Sequence, residues 1–190
     1  MKATDVLTEE HRVIEQFLYT LEQGAKQLEA GQAVRPEFFI SATDFIRGFA
    51  DGCHHQKEEG VLFKRMEEQG MPVQGSPLGV MLAEHELGRQ YTRALLSAAQ
   101  DMQNGDMGAN RRAIQSARSY VALLRQHIYK EDNILFPLAN KVIPAVQYDS
   151  VWEGFEHVEH EETGEGVHEK YLALAKALEQ EINSYSPVSV

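Results

Sequence analysis

The chain carries one ten-residue pattern twice: residues 54–63 read HHQKEEGVLF and residues 127–136 read HIYKEDNILF. In both copies a histidine stands four residues before a glutamate, as in His54 with Glu58 and His127 with Glu131. Side chains four residues apart on an α-helix lie on the same face, about one turn apart. Each copy therefore predicts a forked histidine–carboxylate pair on one side of a helix.

The surroundings of the two pairs also repeat. A lone histidine precedes each pair, His11 by 43 residues and His85 by 42 residues, and each lone histidine directly follows a glutamate. This predicts one helical hairpin used twice. Two repeats are too few for a solenoid, but they suffice for a bundle with a pseudo-twofold axis.

Four long stretches contain little glycine or proline, which cluster between them. They are residues 4–30, 36–69, 77–103 and 109–141. Apolar residues recur in each stretch at helical spacing, and none alternates with the period of a strand. We therefore predict an all-α fold, an up-down-up-down four-helix bundle with a C-terminal helical extension.

Polar side chains lie inside the apolar stripes of all four predicted helices. Buried carboxylates are unfavourable unless they are paired or bind a cation, and two carboxylates in one core repel each other. Two metal ions bridged by both carboxylates remove this repulsion, and imidazole with carboxylate suits iron, zinc, manganese or copper. The candidate metal ligands are His11, His54, Glu58, His85, His127 and Glu131.

The second predicted helix offers two adjacent histidines, and their positions on the helix distinguish them. His54 is in line with Ala50 on the apolar stripe, whereas His55 is in line with Asp51 and Glu59 on its flank. We therefore predict that His54 is the ligand and that His55 orients a ligand carboxylate. The other residues predicted to support the site are Glu59, Glu86, Arg89 and Asp132.

These strings resemble the hemerythrin-like, HHE cation-binding proteins over residues 4–141, most specifically in HIYKEDNILFP at residues 127–137. The resemblance implies two non-heme iron ions bridged by an oxo or hydroxo group, with zinc or manganese as alternative metals. It also implies how the ligands divide. One iron takes His11 and His54, the other takes His85 and His127, and Glu58 and Glu131 bridge the two.

One position departs from the pattern of this family. Typical hemerythrins carry a second histidine one turn after the ligand of the third helix, and here that position is Arg89. The second iron then has an open position, a water or a substitute ligand. An open position favours redox chemistry with peroxide or nitric oxide over simple carriage of O2.

The resemblance leads to a binding function as the main prediction. The protein is expected to bind O2, nitric oxide or peroxide at the iron pair, for sensing, storage or protection against oxidative or nitrosative stress. One alternative is a di-iron oxidoreductase that turns over peroxide or nitric oxide, or an iron-donating repair protein. Another is a structural helical module that holds zinc. The expected partner is a small diatomic molecule or peroxide, and the expected assembly is a monomer or a homodimer.

Composition excludes several other classes. The 190 residues include 18 Lys and Arg against 29 Asp and Glu, a formal net charge of −11. Such a chain lacks the basic face that binding to nucleic acid or to an anionic membrane requires. No stretch is apolar enough to span a membrane, and the N-terminus has no signal-peptide core. A single cysteine, Cys53, forms no internal disulfide, so we expect a reducing, cytoplasmic location.

The chain changes character after Pro144. We predict a bundle domain over residues 1–143 and an acidic helical extension over residues 144–190 that packs on the bundle or forms a dimer contact. The extension contains a predicted fifth helix from Tyr171 to Ile182 and three histidines without an assigned role. These histidines are His157, His160 and His168.

Three further positions near the candidate ligands keep alternative interpretations. Gly88 and Thr92 follow His85 on the same face, where they allow either close helix packing or a small pocket beside the metal. Tyr120 is expected in the core. Cys53, next to His54, is a small core residue or a thiol linked to the iron site.

Overall fold

The chain is described here by a computed structural model, which covers residues 2–164 and 166–185. These residues form helices and loops and contain no strand, which confirms the predicted all-α class. Residues 186–190 of the predicted extension and Glu165 of its acidic run lie outside the described residues. The helices, in chain order, are α1 Ala3–Glu29, α2 at 36–68, α3 Pro77–Gln103, α4 at 109–142, α5 Tyr148–His157 and α6 Val167–Asn183.

The predicted ends of the first four helices agree with the structure to within a residue. Local signals explain the sharp boundaries. Pro36 and Pro77 begin α2 and α3, and the Ser76 hydroxyl accepts a hydrogen bond from the Leu78 amide at 3.1 Å. Gly31 follows α1 with a φ of +83°, a conformation that side chains other than that of glycine rarely adopt.

Two hydrophobic clusters flank the candidate ligands and reveal the direction of each helix. In α1, Leu7 of one cluster precedes His11, and Ile14 of the other cluster follows it. The order reverses in α2, returns in α3 and reverses again in α4. The four helices therefore run up, down, up and down, and the candidate ligands occupy one layer between two apolar ends.

The backbone of α2 and α4 departs from regular helix at the candidate ligands. Wider π-helical turns, Glu58–Leu62 and Glu131–Leu135, begin at the two glutamates of the repeated pattern, and another, Ile46–His55, ends at the paired histidines. Such turns shift the register of the side chains around them and occur frequently at functional sites. The two copies of the pattern therefore share one backbone irregularity at equivalent positions.

The C-terminal extension packs on the bundle. Helix α6 contacts both α1 and α2, and it adds Tyr171, Leu178 and Ile182 to the larger hydrophobic cluster. The predicted fifth helix is present and begins earlier, at Val167. Helix α5 was not predicted, because an acidic composition hides the short apolar stripe through which it buries Val151 and Phe155.

Gly48 of α2 determines how closely α6 approaches. A Cβ atom at this position would lie 1.9 Å from the ring of Tyr171, which is buried. Gly48→Ala is therefore expected to lower the free energy of unfolding by roughly 1–3 kcal/mol through overpacking. Gly88→Ala is the matched control, because the nearest atom to its Cβ would be an ordinary 3.6 Å away. Urea unfolding curves compare the two variants, and equal stabilities would contradict this packing.

Candidate metal centre

The four bundle helices bring the six predicted ligands into one buried layer. His11 comes from α1, His54 and Glu58 from α2, His85 from α3, and His127 and Glu131 from α4. All six are at most 2% exposed. With His55 added, the ligand atoms fall into two groups, each with atoms within 4.8 Å of one another. They are His11, His54, Glu58 and Glu131, and His55, Glu58, His85 and His127.

Both glutamates reach both groups. Glu58 places Oε1 3.5 Å from His54 Nε2 and Oε2 3.4 Å from His85 Nε2. Glu131 places Oε2 3.2 Å from His11 Nε2 and Oε1 3.2 Å from His127 Nε2. Each carboxylate therefore offers one oxygen to each group, which is the arrangement needed to bridge two metal ions.

His55 is the additional member of this layer. It is 4% exposed, and its ring stacks on that of His85 with 3.9 Å between the centroids. The sequence analysis placed His55 on the flank in line with Asp51, and the structure retains that contact at 3.4 Å. The other ring nitrogen of His55 nevertheless lies with the ligand atoms of the second group, because the π-helical turn Ile46–His55 and the position of α3 bring its ring against His85. We call His11 and His54 the first histidine group, and His55, His85 and His127 the second.

A carboxylate orients each of the five histidines. In every case Nδ1 donates a hydrogen bond outward, so Nε2 faces inward, as in the carboxylate–histidine–metal arrangement of many metal sites. The five bonds are His11 to Asp132 at 2.7 Å, His54 to Glu10 at 2.9 Å, His55 to Asp51 at 3.4 Å, His85 to Glu59 at 2.7 Å and His127 to Glu84 at 3.0 Å.

A cation holds each of these five carboxylates in turn. The pairs are Lys57 with Glu10 at 2.6 Å, Arg89 with Asp51 at 2.8 Å and with Glu59 at 2.6 Å, Lys130 with Glu84, and Arg12 with Asp132. Lys57 and Lys130 each lie three residues after a paired histidine, so the pseudo-twofold repeat extends to this outer layer. Among the ligands and these supporting residues, seven carboxylates face four cations, which leaves an excess of negative charge for metal ions to neutralise.

The inner atoms fit metal ions better than they fit one another. Within the described chain, His11 Nε2, His55 Nε2 and all four oxygens of Glu58 and Glu131 are buried without a hydrogen-bond partner. His85 Nε2 and His127 Nε2 lie 3.0 Å apart, a hydrogen-bonding distance that needs a proton on one of these two nitrogens. Buried polar atoms without partners are unfavourable, and cations would supply partners to this donor set.

The ionisation of these groups supports the same conclusion. Burial raises the pKa of Glu58 well above its usual range, and the neighbouring Glu131 raises it further. Burial lowers the pKa of His54 to about 4, which keeps its imidazole neutral for binding a metal. Burial also lowers the pKa of His127, but Glu131 and Glu84 outweigh burial and raise it to about 9. Without a metal, a proton therefore compensates Glu131, and a metal cation would replace that proton.

The other residues predicted to support the site divide into two kinds. Glu59 and Asp132 contact candidate ligand histidines directly. Arg89 contacts the carboxylates of Asp51 and Glu59, which hold histidines, and that of Glu86 at 3.9 Å. Glu86 lies at the surface and pairs with Arg93. The sequence analysis noted the glutamates before His11 and His85 without assigning them a role, so it missed Glu10 and Glu84, which orient histidines of other helices.

A third cluster of potential ligands lies beside the first group. Glu10, Cys53, Glu159 and His168 bring ligand atoms within 4.8 Å of one another. The Lys57 amine already donates to Glu10 at 2.6 Å and to Glu159 at 2.7 Å, so an ammonium is already paired with both carboxylates of this cluster. Burial raises the pKa of the Cys53 thiol to about 11, which leaves it a poor nucleophile.

Two histidines of the extension lie in different surroundings. His160 is exposed and pairs with Glu156 at 3.3 Å. His168 contacts Glu159 at 3.7 Å and belongs to the Lys57 cluster. Among the described residues, no helix combines the length and the apolar character needed to cross a membrane.

Comparison with known proteins places this geometry in context. The family model of the hemerythrin HHE cation binding domain matches residues 2–139, which include every member of the metal centre. Uncharacterized proteins of Mycobacterium bovis and Mycobacterium tuberculosis are 26% identical over 183 residues, covering 96% of this chain and 71% of theirs. No solved structure matches the chain.

Proposed function

The chain belongs to the hemerythrin HHE cation-binding family, and from this premise we propose that it holds two non-heme iron ions and binds O2, nitric oxide or peroxide at them. The observation that carries the proposal is the pair of buried glutamates. Each offers one unpartnered oxygen to each histidine group, so together they bridge two ions. Carboxylate-bridged di-iron sites inside four-helix bundles have this construction. When bound, such an iron pair supplies reversible ligand binding and electron transfer.

His55 supplies the ligand that Arg89 does not. We infer that the second ion takes the three imidazoles of the second histidine group and that the first ion takes His11 and His54, with Glu58 and Glu131 shared. The first ion then has one protein ligand fewer than the second. A small exogenous molecule therefore binds most readily at the first ion, where the ring of Phe136 stacks on His11 at 5.3 Å and provides an apolar wall.

This ligand count moves the open position from the second ion to the first, because His55 fills the position that Arg89 leaves. Reversible binding in sensing, storage or protection is the function that we propose. Turnover of peroxide or nitric oxide at the first ion is the alternative, and assays of the iron-loaded protein distinguish the two. In the zinc alternative, zinc rather than iron occupies the same donor set.

Metal analysis tests the proposal directly. Protein purified from iron-supplemented cells is expected to contain about two irons per chain and to absorb in the near ultraviolet, as bridged ferric pairs do. His55→Ala is expected to retain about one iron and to lose that absorption, because the second ion loses a ligand. His160→Ala, which removes an exposed histidine of the extension, is the control and should retain both irons.

Two outcomes would count against these assignments. Zinc alone, or no metal, in the wild type would reject the iron pair. Two irons with an unchanged spectrum in His55→Ala would leave the pair intact but remove His55 from the ligand set.

A further inference from the structure

One guanidinium holds the carboxylates that orient two of the three imidazoles of the second histidine group. Arg89 Nε donates to Asp51 Oδ1 at 2.8 Å, and Arg89 Nη2 donates to Glu59 Oε1 at 2.6 Å. The same two oxygens accept the Nδ1 hydrogen bonds of His55, at 3.4 Å, and of His85, at 2.7 Å. Each oxygen is therefore fixed from two sides, by a ring nitrogen and by the guanidinium.

These contacts close into a ring that joins two helices. The imidazoles of His55 and His85 stack with 3.9 Å between their centroids and 16° between their planes. Asp51 and Glu59 stand four residues before and after His55 in α2. Arg89 stands four residues after His85 in α3. The guanidinium thus connects the two ends of the stacked pair, and neither imidazole can turn without losing a charge-assisted hydrogen bond.

Arg89 differs in this respect from the other supporting cations. Lys57, Lys130 and Arg12 each hold one of the five histidine-orienting carboxylates, whereas Arg89 holds two. A guanidinium presents its donors at fixed positions of a planar fork, whereas an ammonium is a point charge on a flexible stem. Arg89 is therefore suited to fix two carboxylates relative to each other.

A neighbouring arginine provides a natural comparison. A cavity of about 310 Å³ opens beside the second histidine group, and both Arg89 and Arg93 line it. Arg93 lies one turn further along α3 and pairs with the exposed Glu86 at 2.9 Å. Arg89 also lies 3.9 Å from Glu86, but its short contacts are to the orienting carboxylates. The two arginines therefore share a helix, a cavity and a charge, and they differ in their contacts to the metal centre.

We propose that Arg89 is the positioning residue of the second metal ion, because it holds His55 and His85 as one preorganised pair and thereby sets the affinity of the second histidine group. Ligands that are already ordered bind more tightly, since binding does not have to order them. Arg89 acts only through the two carboxylates and the two imidazoles. The inference rests on the proposed metal centre, but it does not depend on which metal occupies it.

Positioning and simple electrostatics predict opposite effects of removing Arg89. The guanidinium is a cation beside a site for cations, so by charge alone its removal should strengthen metal binding. The loss of positioning should weaken metal binding, because the outer partners of ligand histidines typically contribute 10- to 100-fold in affinity. The direction of the change in Arg89→Gln therefore distinguishes the two.

Zinc is a suitable probe, because it is diamagnetic and binds both imidazole and carboxylate. Metal-free, ¹⁵N-labelled protein is titrated with Zn²⁺ in a chelator buffer, and NMR follows the ring nitrogens of His85 for the second group and of His11 for the first. Arg89→Gln should raise the zinc Kd at His85 about ten-fold or more, and the Kd at His11 by less. Arg89→Lys should have an intermediate effect at His85, because an ammonium does not span both carboxylates.

Two controls separate positioning from charge and from folding. Arg93→Gln removes the same charge from the same helix and cavity, and it should not raise the zinc Kd at His85. The second control uses the metal-free protein in the presence of a chelator. There the ring nitrogens of His55 and His85 should show the Nδ1–H tautomer in the wild type and a mixture of tautomers in Arg89→Gln, with the signals of His11 unchanged.

An unchanged or lower zinc Kd at His85 in Arg89→Gln would overturn the proposal. Equal increases at His85 and His11 would also overturn it, because they would indicate a general loss of structure. The absence of zinc binding at His85 in the wild type would overturn it as well, since Arg89 would have no ion to position. Iron content is measured separately, so the expected zinc result in a protein without iron would reject the iron pair and support the role of Arg89.

Discussion

Glu58→Gln is expected to remove both metal ions, so that the metal content falls from about two ions per chain to almost none. Glu58 gives one oxygen to each histidine group, at 3.5 Å from His54 and 3.4 Å from His85. A neutral amide preserves the shape of the side chain, but it neither neutralises nor bridges two cations. Elemental analysis of purified protein measures the loss.

Glu59→Gln is the matched control for this substitution. Glu59 is the next residue in the chain and contacts the metal centre only through His85 Nδ1, at 2.7 Å. Its replacement should weaken metal affinity by about 10- to 100-fold, as the loss of such outer partners typically does, and excess metal should restore occupancy. Two irons retained by Glu58→Gln would contradict the bridging role of Glu58.

Although Glu58→Gln should abolish metal binding, it should stabilise the metal-free protein, which is studied in the presence of a chelator. Burial and Glu131 raise the pKa of Glu58, which shows that the ionised carboxylate is unfavourable in this core without metal. The metal-free Glu58→Gln protein should therefore be more stable than the metal-free wild type, by about 1–3 kcal/mol. Urea unfolding curves in the presence of a chelator measure this difference. A less stable variant would show that Glu58 also stabilises the metal-free fold.

Lys57→Met is expected to lower the free energy of unfolding by about 3–5 kcal/mol, the typical cost of breaking a buried ion pair. The Lys57 side chain is 0% exposed, and its amine donates to Glu10 at 2.6 Å and to Glu159 at 2.7 Å. Its removal leaves Glu10 buried with an uncompensated charge. Because Glu10 orients His54, metal affinity should fall as well, by about ten-fold.

Lys130→Met provides the matched control, since Lys130 occupies the equivalent position of the pseudo-twofold repeat. Lys130 also pairs with a histidine-orienting glutamate, Glu84, but its side chain is 31% exposed. Water can solvate Glu84 after this substitution, so the expected loss is about 1 kcal/mol or less. Urea unfolding measures the free energy of unfolding of both variants. Equal losses would show that the burial of Lys57 does not strengthen its contribution to stability.

The extension accounts for the greater burial of Lys57 relative to Lys130. Glu159, between α5 and α6, pairs with Lys57, and the described part of the extension covers this half of the repeat. The extension therefore contributes to the support of His54, three contacts away, in addition to burying its own apolar residues on α1 and α2. The chain of contacts runs from Glu159 through Lys57 and Glu10 to His54.

Much of the site followed from local sequence pattern. Helical periodicity, together with the glycines and prolines between the helices, predicted the bounds of the first four helices, because these signals act within a few residues of the chain. The four-residue spacing between His54 and Glu58, and between His127 and Glu131, predicted two histidine–carboxylate pairs on inward helix faces for the same reason.

Other features depended on contacts between helices. Glu10 follows Glu9 in the sequence and resembles a solvated acid, yet it is buried against His54 of α2, more than 40 residues away. His55 lay on the flank of its own helix by periodicity, and the π-helical turns and the position of α3 bring it against His85. No single-helix pattern contains this information.

The sequence by itself therefore determined the first four helices, their order and the six inward candidate ligands, because the residues that decide these features are neighbours on one helix. Only the tertiary structure decided which carboxylate orients which histidine, that His55 joins the second group and that a cavity opens beside it. Those features depend on the distances between helices, which arise from packing of the whole core and are not encoded in the period of any one helix.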